Sequence, residues 1–319
     1  MTQSNLPFTD RAYRGANDLA EMQHALSKWI KESGSCSYEH VGDIPHRMYS
    51  GVRSRYPLDE IIRLWDVEGS LEGFAMIYPG HNEFDIRISP KYRSNTLERE
   101  VLRWATTEMR TLMDREGKKE KAVMTDAYTC DTQRIKCLVE LGYEPKEEPR
   151  LNLYERLLDA SLPEAKLPDG YAIRSATGEI DAAQLAAVHN AAFGSNWTEQ
   201  AYVNEVMQKP GYDPNLEHVV VTPNGTFAAF CIIWLDSANG IGLFEPVGTH
   251  NDYQRKGLGR ALLSYGLRFM KEHGMRKAQV SSGIDNRASN GLYQAVGFKQ
   301  KHQRRTYRKG SCVGSFTHP

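Results

Sequence analysis

The sequence predicts a mixed α/β (α+β) protein of two tandem domains, each a largely antiparallel sheet flanked by helices. Three observations predict this class. The chain has 319 residues, long for one core and suited to two. Its C-terminal half reads strand, two helices, three strands, helix, strand, helix, strand from apolar spacing and turn residues. The N-terminal half can be laid over the same order, as expected of a diverged internal repeat.

In the N-terminal half, residues 61–65, 74–78 and 84–88 form a strand meander, 97–113 a helix and 121–125 a strand. The run Leu138–Tyr143 then echoes Tyr293–Phe298. Residues 158–169 carry prolines, small residues and mixed charge without apolar periodicity, so they link domains 1–157 and 170–319. In the second half, residues 171–174 alternate like a strand and 180–193 are helical, stopped by Gly194. Thr198 caps a helix through Met207. Three strands, 218–222, 226–235 and 241–247, are separated by Pro223-Asn224-Gly225 and Ala238-Asn239-Gly240. From Leu258, an apolar stripe through Ala261, Leu262, Tyr265 and Phe269 makes a helix ending at Gly274. A strand at 277–281, a helix at 288–296 closed by Gly297, and a basic strand complete the order.

Lysine plus arginine, 40, equals aspartate plus glutamate, 40. No global positive field exists to gather nucleic acid or an anionic membrane, and neither is expected as a partner. The 5 cysteines, Cys36, Cys130, Cys137, Cys231 and Cys312, are odd in number and scattered. They lack metal-site spacing and read as reduced thiols, with no metal expected. The start lacks a secretory pattern, and no run of about 18 apolar residues occurs, so a cytoplasmic location is expected.

The loop Gln254-Arg255-Lys256-Gly257-Leu258-Gly259 runs into a helix. Helix starts present unsatisfied amides and partial positive charge, a ready site for pyrophosphate. Gly257 and Gly259 let the backbone approach closely, while Arg255, Lys256 and Arg260 add charge. A dinucleotide fingerprint would need a glycine where Leu262 stands, and no P-loop pattern occurs.

The run Gly242-Leu243-Phe244-Glu245-Pro246-Val247-Gly248-Thr249, followed by Asp252-Tyr253 and the loop through Leu263, resembles the GNAT superfamily of acyltransferases. The segment Asp285-Asn286 to Gly297-Phe298 resembles that family's second signature, an Asn before a helix that bears a Tyr and closes in Gly-Phe. The resemblance covers about residues 171–308 and implies acetyl-coenzyme A as co-substrate. It implies that Val247, Gly248 and Thr249 pair with the pantetheine arm like an added strand. It also implies that Gln254 to Arg260 hold the pyrophosphate, Asn286 reaches the arm, and Tyr293 sits near the thioester sulfur.

The implied activity is N-acetyl transfer to a primary amine of a small molecule, such as an amino sugar, antibiotic or metabolite, by direct attack in a ternary complex. Tyr293 would protonate the leaving thiolate, because a phenol keeps its proton at neutral pH. Glu245 would take the amine proton, with His250, His218 and Glu217 as lesser candidates, and a backbone N–H near Val247 would hold the oxyanion. The acceptor wall would include Phe193, Ser195, Asn196 and Trp197, although Phe193 and Trp197 also suit a core. The basic tail, Lys299, Lys301, Arg304, Arg305, Arg308 and Lys309, reads as a solvated edge strand. Acetylation of a protein or peptide, and a non-catalytic acyl-CoA sensor, are the alternative readings; a homodimer is compatible with each.

Aligning Tyr92 with Tyr253 puts Thr96 and Glu98 at the positions of Gly257 and Gly259, and Leu138 at that of Tyr293. A carboxylate there opposes an anion. The N-terminal copy is therefore expected to be degenerate and to bind no acetyl-coenzyme A, an organisation like that of mycothiol synthases.

Overall fold

A computed structural model of the chain describes residues 8–34, 36–93, 95–119, 122–159 and 162–310. These residues form two compact units. The first takes the described residues up to Tyr38, those of Tyr56–Arg150, and those from Gln303 onward; the second takes Glu39–Arg55 and Leu151–His302. This partition departs from boundaries at 157 and 170, because strand pairing and packing assign short segments to units distant in sequence.

In the first unit, β1 (Phe8–Ala12), β2 (Ile62–Val67), β3 (Ser70–Tyr78) and β4 (Glu83–Ile88) are antiparallel neighbours. β5 (Val123–Tyr128) pairs parallel to β4, and residues 304–309 of the last strand close on β5 from Arg304↔Tyr128 to Lys309↔Val123. β6 (Glu144–Pro145) pairs with that same segment. The helices are α1 (Ala16–Ser33), α2 (Thr96–Arg115) and α3 (Thr132–Glu140). The basic tail is thus not a solvated edge. Arg304 is buried and reaches Asp126 at 3.1 Å, so its charge is answered inside the sheet layer.

The cysteines also differ from expectation. Cys36 and Cys130 form a disulfide with Cα atoms 6.2 Å apart. The turn after β5 meets the segment after α1 across 94 residues of sequence, a juxtaposition that spacing does not reveal. Cys137 and Cys231 are free and buried, and Cys312 lies outside the described residues. Among the described residues no helix is long and apolar enough to cross a membrane.

In the second unit the sheet order is β7 (Leu151–Leu157), β12 (Lys277–Gly283), β11 (Ile241–Thr249), β10 (Phe227–Asp236), β9 (Glu217–Val221), β8 (Ala172–Ser175). Only β11 and β12 are parallel neighbours in this order. β13 (Lys299–Lys309) begins in this unit and ends in the first. α4 (Ala182–Phe193) and α5 (Glu199–Tyr202) share one core with Phe227, Phe230 and Ile232. α6 (Leu258–Glu272) and α7 (Arg287–Ala295) share another with Ala229, Cys231, Ile233 and Phe244. Alternate residues of β10 therefore face opposite cores, as strand geometry requires.

Of the predicted α6 stripe, Leu258, Ala261 and Leu262 are buried while Tyr265 and Phe269 are half-buried, and the core face also takes in Leu263, Leu267 and Met270. Each large member contributes about 1.5–3 kcal/mol of transfer free energy. Thr198 caps α5 through Ala201 N–H at 3.1 Å. The described linker residues Leu162 and Leu167 pack onto the second core, and Arg268 Nε donates to the Pro163 carbonyl at 3.2 Å.

Candidate active site

β11 is the element on which the site is built. It pairs with β10 in two registers, Ala229↔Thr249 to Cys231↔Val247 and then Ile233↔Phe244 to Asp236↔Ile241, with an irregularity between them. Residues 245 and 246 on β11 stand opposite the single residue 232, so the extra residue bulges the strand at Glu245-Pro246, a cis peptide. Bulges re-aim side chains. On its other side β11 pairs with β12 only from Ile241↔Lys277 to Phe244↔Val280. Beyond Phe244 the strand continues to Thr249 and parts from β12. That leaves an edge carrying Val247, Gly248 and Thr249, the geometry needed to receive an extended polar chain.

Gly248 is there for space, since a Cβ would meet Phe230 at 2.5 Å, Ala192 at 2.9 Å and Phe193 at 3.2 Å. Two residues of the following loop are left-handed: Arg255 at φ 61° and Gly257, the residue before α6, at φ 79°. For Gly257 conformation is the requirement, and a Cβ there would stand in open space. Gly259 differs: its Cβ would lie 3.2 Å from Leu292 and 3.3 Å from Thr249 Oγ1. Arg255, Lys256 and Arg260 are exposed. Gln254 Nε2 lies 3.5 Å from the Thr249 carbonyl, and Lys256 Nζ sits 4.9 Å over the Tyr253 ring. A splayed edge leading to a left-handed loop and the amides of Leu258, Gly259 and Arg260 fits a pyrophosphate carrying an extended arm.

Tyr293 lies on α7, buried, with its ring edge-on to Tyr154 at 5.9 Å and to Phe298 at 6.1 Å. Burial, reinforced by the Glu245 charge, raises its phenol well above the usual value; a hydrogen bond with Ser289 opposes this. Asn286 caps α7, its Oδ1 accepting from Ser289 N–H at 3.1 Å. Asn290, one turn on, accepts from Tyr154 Oη at 2.9 Å and donates to the carbonyls of Gly283 and Ile284, tying the end of β12 to α7.

Glu245 is half-buried. Its carbonyl accepts from Trp234 Nε1 at 2.7 Å, and its Oε1 lies 3.5 Å from His46 Nε2. Burial, with Asp43 adding to it and Arg47 opposing, pushes the carboxyl up to about 8. His46 is moved the other way, down to about 4, by burial and then by Arg47 and His189. The lesser base candidates stand elsewhere. Glu217 is fully buried and accepts from Tyr202 and Tyr212 hydroxyls at 2.6 Å each. His218 is buried against Tyr265 and Phe269. His250 Nδ1 accepts from Asp252 N–H at 3.2 Å before the loop. At the end of α4 and in the loop after it, Phe193 is 50% exposed, Trp197 is buried, and Ser195 bonds His189 Nδ1 at 2.8 Å.

Sequence reasoning missed the segment Glu39–Arg55, which the first half contributes to this unit. A short helical stretch, Asp43–Pro45, runs into a π-type turn, His46–Gly51. His40 Nε2 meets the Ile241 carbonyl at 3.1 Å. Arg53 donates to Asn196 Oδ1 at 2.8 Å and stacks 3.8 Å over Trp197. Ser54 donates to Glu205 at 2.7 Å. No local motif marks such a segment, since its partners lie 143 to 201 residues further along the chain.

Residues 182–298 match the acetyltransferase (GNAT) family. The match takes in β11, the loop, α6 and α7, and the GNAT fold extends to the tandem arrangement. A tandem GNAT protein from the clavulanic acid biosynthesis pathway superposes with a TM-score of 0.64 over 95% of this chain and 98% of its own, at 14% identity. The chain is 31% identical to a mycothiol acetyltransferase of Streptomyces avermitilis over 49% of its own length and 51% of that protein's. It is 24% identical to one from Segniliparus rotundus over 77% and 93%. The alignment with the Streptomyces relative thus spans about half of that protein.

The GNAT loop has a shortened counterpart in the first unit. Tyr253 and Tyr92 each end a short turn, but α6 is preceded by Gly257 four residues on and α2 by Asn95 three residues on. Counted from those caps, Asn95 stands at the place of Gly257, Leu97 at that of Gly259, and Glu98 at that of Arg260. This shifts the alignment by one residue from that which placed Thr96 and Glu98 at the glycines. Asn95 Oδ1 takes the Leu97 N–H at 3.0 Å, and Glu98 is buried against Arg134 at 2.5 Å.

Proposed function

We propose that the chain is an acetyl-CoA-dependent N-acetyltransferase acting on a primary amine of a small molecule, with its cofactor site in the second unit. The observation that carries this reading is the bulged, splayed β11. One strand presents the carboxyl of Glu245, the open edge of Val247, Gly248 and Thr249, and the entry to the loop at Gln254. The names of the mycothiol acetyltransferase relatives support a small-molecule acceptor.

Bound acetyl-CoA supplies the thioester whose acetyl group is transferred. The amides at the start of α6, with Arg255, Lys256 and Arg260, hold its pyrophosphate. Val247, Gly248 and Thr249 orient the arm, with Asn286 beside it. Glu245, a stronger base than an ordinary carboxylate, takes a proton from the amine. The Tyr293 hydroxyl, protonated throughout the neutral range, gives its proton to the departing sulfur. Phe193 contributes to the acceptor wall from the exposed end of α4, with Asn196 and Trp197 behind it. The first unit, with Glu98 locked to Arg134 at its helix start, binds no acetyl-CoA.

A panel of small amines and short peptides, scored by thiol release from acetyl-CoA with wild type, Tyr293→Phe and Glu245→Gln, tests the reading. Turnover on a small amine that collapses in both variants supports it. Full activity in both variants would remove the assigned roles, and turnover on peptides alone would replace the acceptor class.

A further inference from the structure

His46, from the first half of the chain, brings its Nε2 to 3.5 Å from Glu245 Oε1, and charged groups act on both. Asp43 and Arg47 act on Glu245 from the same segment, and Glu245 in turn acts on Tyr293 of α7. Arg47 and His189 of α4 act on His46. The backbone around the pair is anchored twice. Trp234 Nε1 holds the Glu245 carbonyl, and Gly42, four residues before His46, lies so close to Trp234 that an added Cβ would stand 2.3 Å from its Cβ and Cγ. The side chains of His46 and Glu245 are 23% and 27% exposed, so each has an open side while facing the other.

We propose that His46 is a positioning residue for Glu245, donating from Nε2 to one carboxylate oxygen and leaving the other oxygen to the acceptor amine. The inference deepens the function proposed above and rests on it for the role of Glu245. A carboxylate ready to act as base is an acceptor only. A neutral imidazole has a single N–H, and the tautomer with that proton on Nε2 is the one that attracts the carboxylate; the other turns a lone pair toward it. Burial keeps His46 neutral. At 3.5 Å the two atoms stand at the outer limit of hydrogen-bond reach, and a neutral imidazole there offers a dipole rather than a full charge, so Glu245 keeps the proton affinity that a base needs. After the amine proton arrives it stays on the free carboxylate oxygen until product leaves, so the step needs no proton transfer through the imidazole.

The test is infrared titration of the full chain labelled with 13C-glutamate, taking as the Glu245 band the carboxyl stretch lost in Glu245→Gln. Removing a donor from a carboxylate raises its pKa, by about one unit for one hydrogen bond to a charged group. The expected result is an upward midpoint shift in both His46→Phe and His46→Ala, with His46→Gln, which retains an amide donor, close to wild type. Two variants are used so that misfolding of one does not end the test. A midpoint that stays put or falls in the Phe and Ala variants, or that rises as far in the Gln variant, overturns the proposal. Because the titration reads a carboxyl and not turnover, its failure is separate from that of the acetyltransferase reading, which Glu245→Gln activity decides.

Discussion

Gly42 lies directly against Trp234, leaving no room for a Cβ, and the indole of that tryptophan donates to the carbonyl of Glu245. At φ −72° any residue could adopt the Gly42 backbone, so space alone demands glycine. Gly42→Ala should overpack the contact and cost about 1–3 kcal/mol. Chemical denaturation followed by the fluorescence of the second unit measures the loss, and acetyl transfer should fall in parallel because the Glu245 carbonyl shifts with the indole.

A single acetyl-CoA should bind per chain. Gly257→Glu imposes a side chain on a φ of 79°, which costs about 1–2 kcal/mol, and places a carboxylate beside the pyrophosphate position. Calorimetry should show one equivalent for wild type and none for the variant. A second equivalent that survives the substitution would place a working cofactor site in the first unit.

Turnover should rise with pH. A base works deprotonated, and the Glu245 carboxyl, held up to about 8, is mostly protonated at neutral pH. The acid limb of kcat/KM, which reports groups of the free enzyme, should therefore have its midpoint near 8 for an amine whose own pKa lies well below that, far above an ordinary glutamate. A limb below about 6 would exclude Glu245 as the base.

Stability should pass through a maximum near neutrality. His40, His46, His189 and His218 are each lowered from 6.5 to about 4 by burial. The unfolded chain binds more protons than the folded one in that interval, so these groups lend stability that is lost as pH falls below 6.5. Glu217 is raised from 4.5 to about 7 and Glu245 to about 8. Here the folded state holds the extra proton, so their contribution is present at low pH and disappears as pH rises from 4.5 through 7 to 8. Four opposing histidines outweigh two glutamates below 6.5, and above it the glutamates act alone. Tm should peak near the histidine value and decline toward pH 8, and Glu217→Gln should flatten the decline.

Oxidised protein should yield a peptide joining Cys36 to Cys130 on non-reducing digestion and mass spectrometry. Reduction, or Cys130→Ser, should destabilise the first unit by about 2–4 kcal/mol, as expected of a bridge closing a long loop. Equal melting of oxidised and reduced samples would contradict this.

Legibility differed sharply between parts of the chain. The α6 stripe, the turns at 223–225 and 238–240, and the β11 loop were readable because each is decided by residues close in sequence: helical spacing, turn glycines, a positive φ. The β11 edge was also legible, through resemblance. Leu151–Leu157 escaped notice beside a prolyl linker, since what makes it a strand is its partner 277–283. Arg304 looked solvated because its neighbours in sequence are basic, whereas Asp126, which answers its charge, lies 178 residues away. His46 gave no signal for the same reason: its significance depends on a carboxylate that only folding brings near.

The interleaving of the two units also sets a timetable for synthesis. Residues 39–55 leave the ribosome about two hundred residues before β11, an interval of roughly 10–40 s at ordinary elongation rates, and they must wait through it without their partners. Conversely, β5 receives its neighbour, 304–309, only after strands β8 to β12 of the second unit have been made. Neither unit can close in the order of its translation. A nascent chain therefore carries an uncovered edge on β5 until 304–309 are made, and that edge is where a chaperone, or another unfinished copy, would first find purchase.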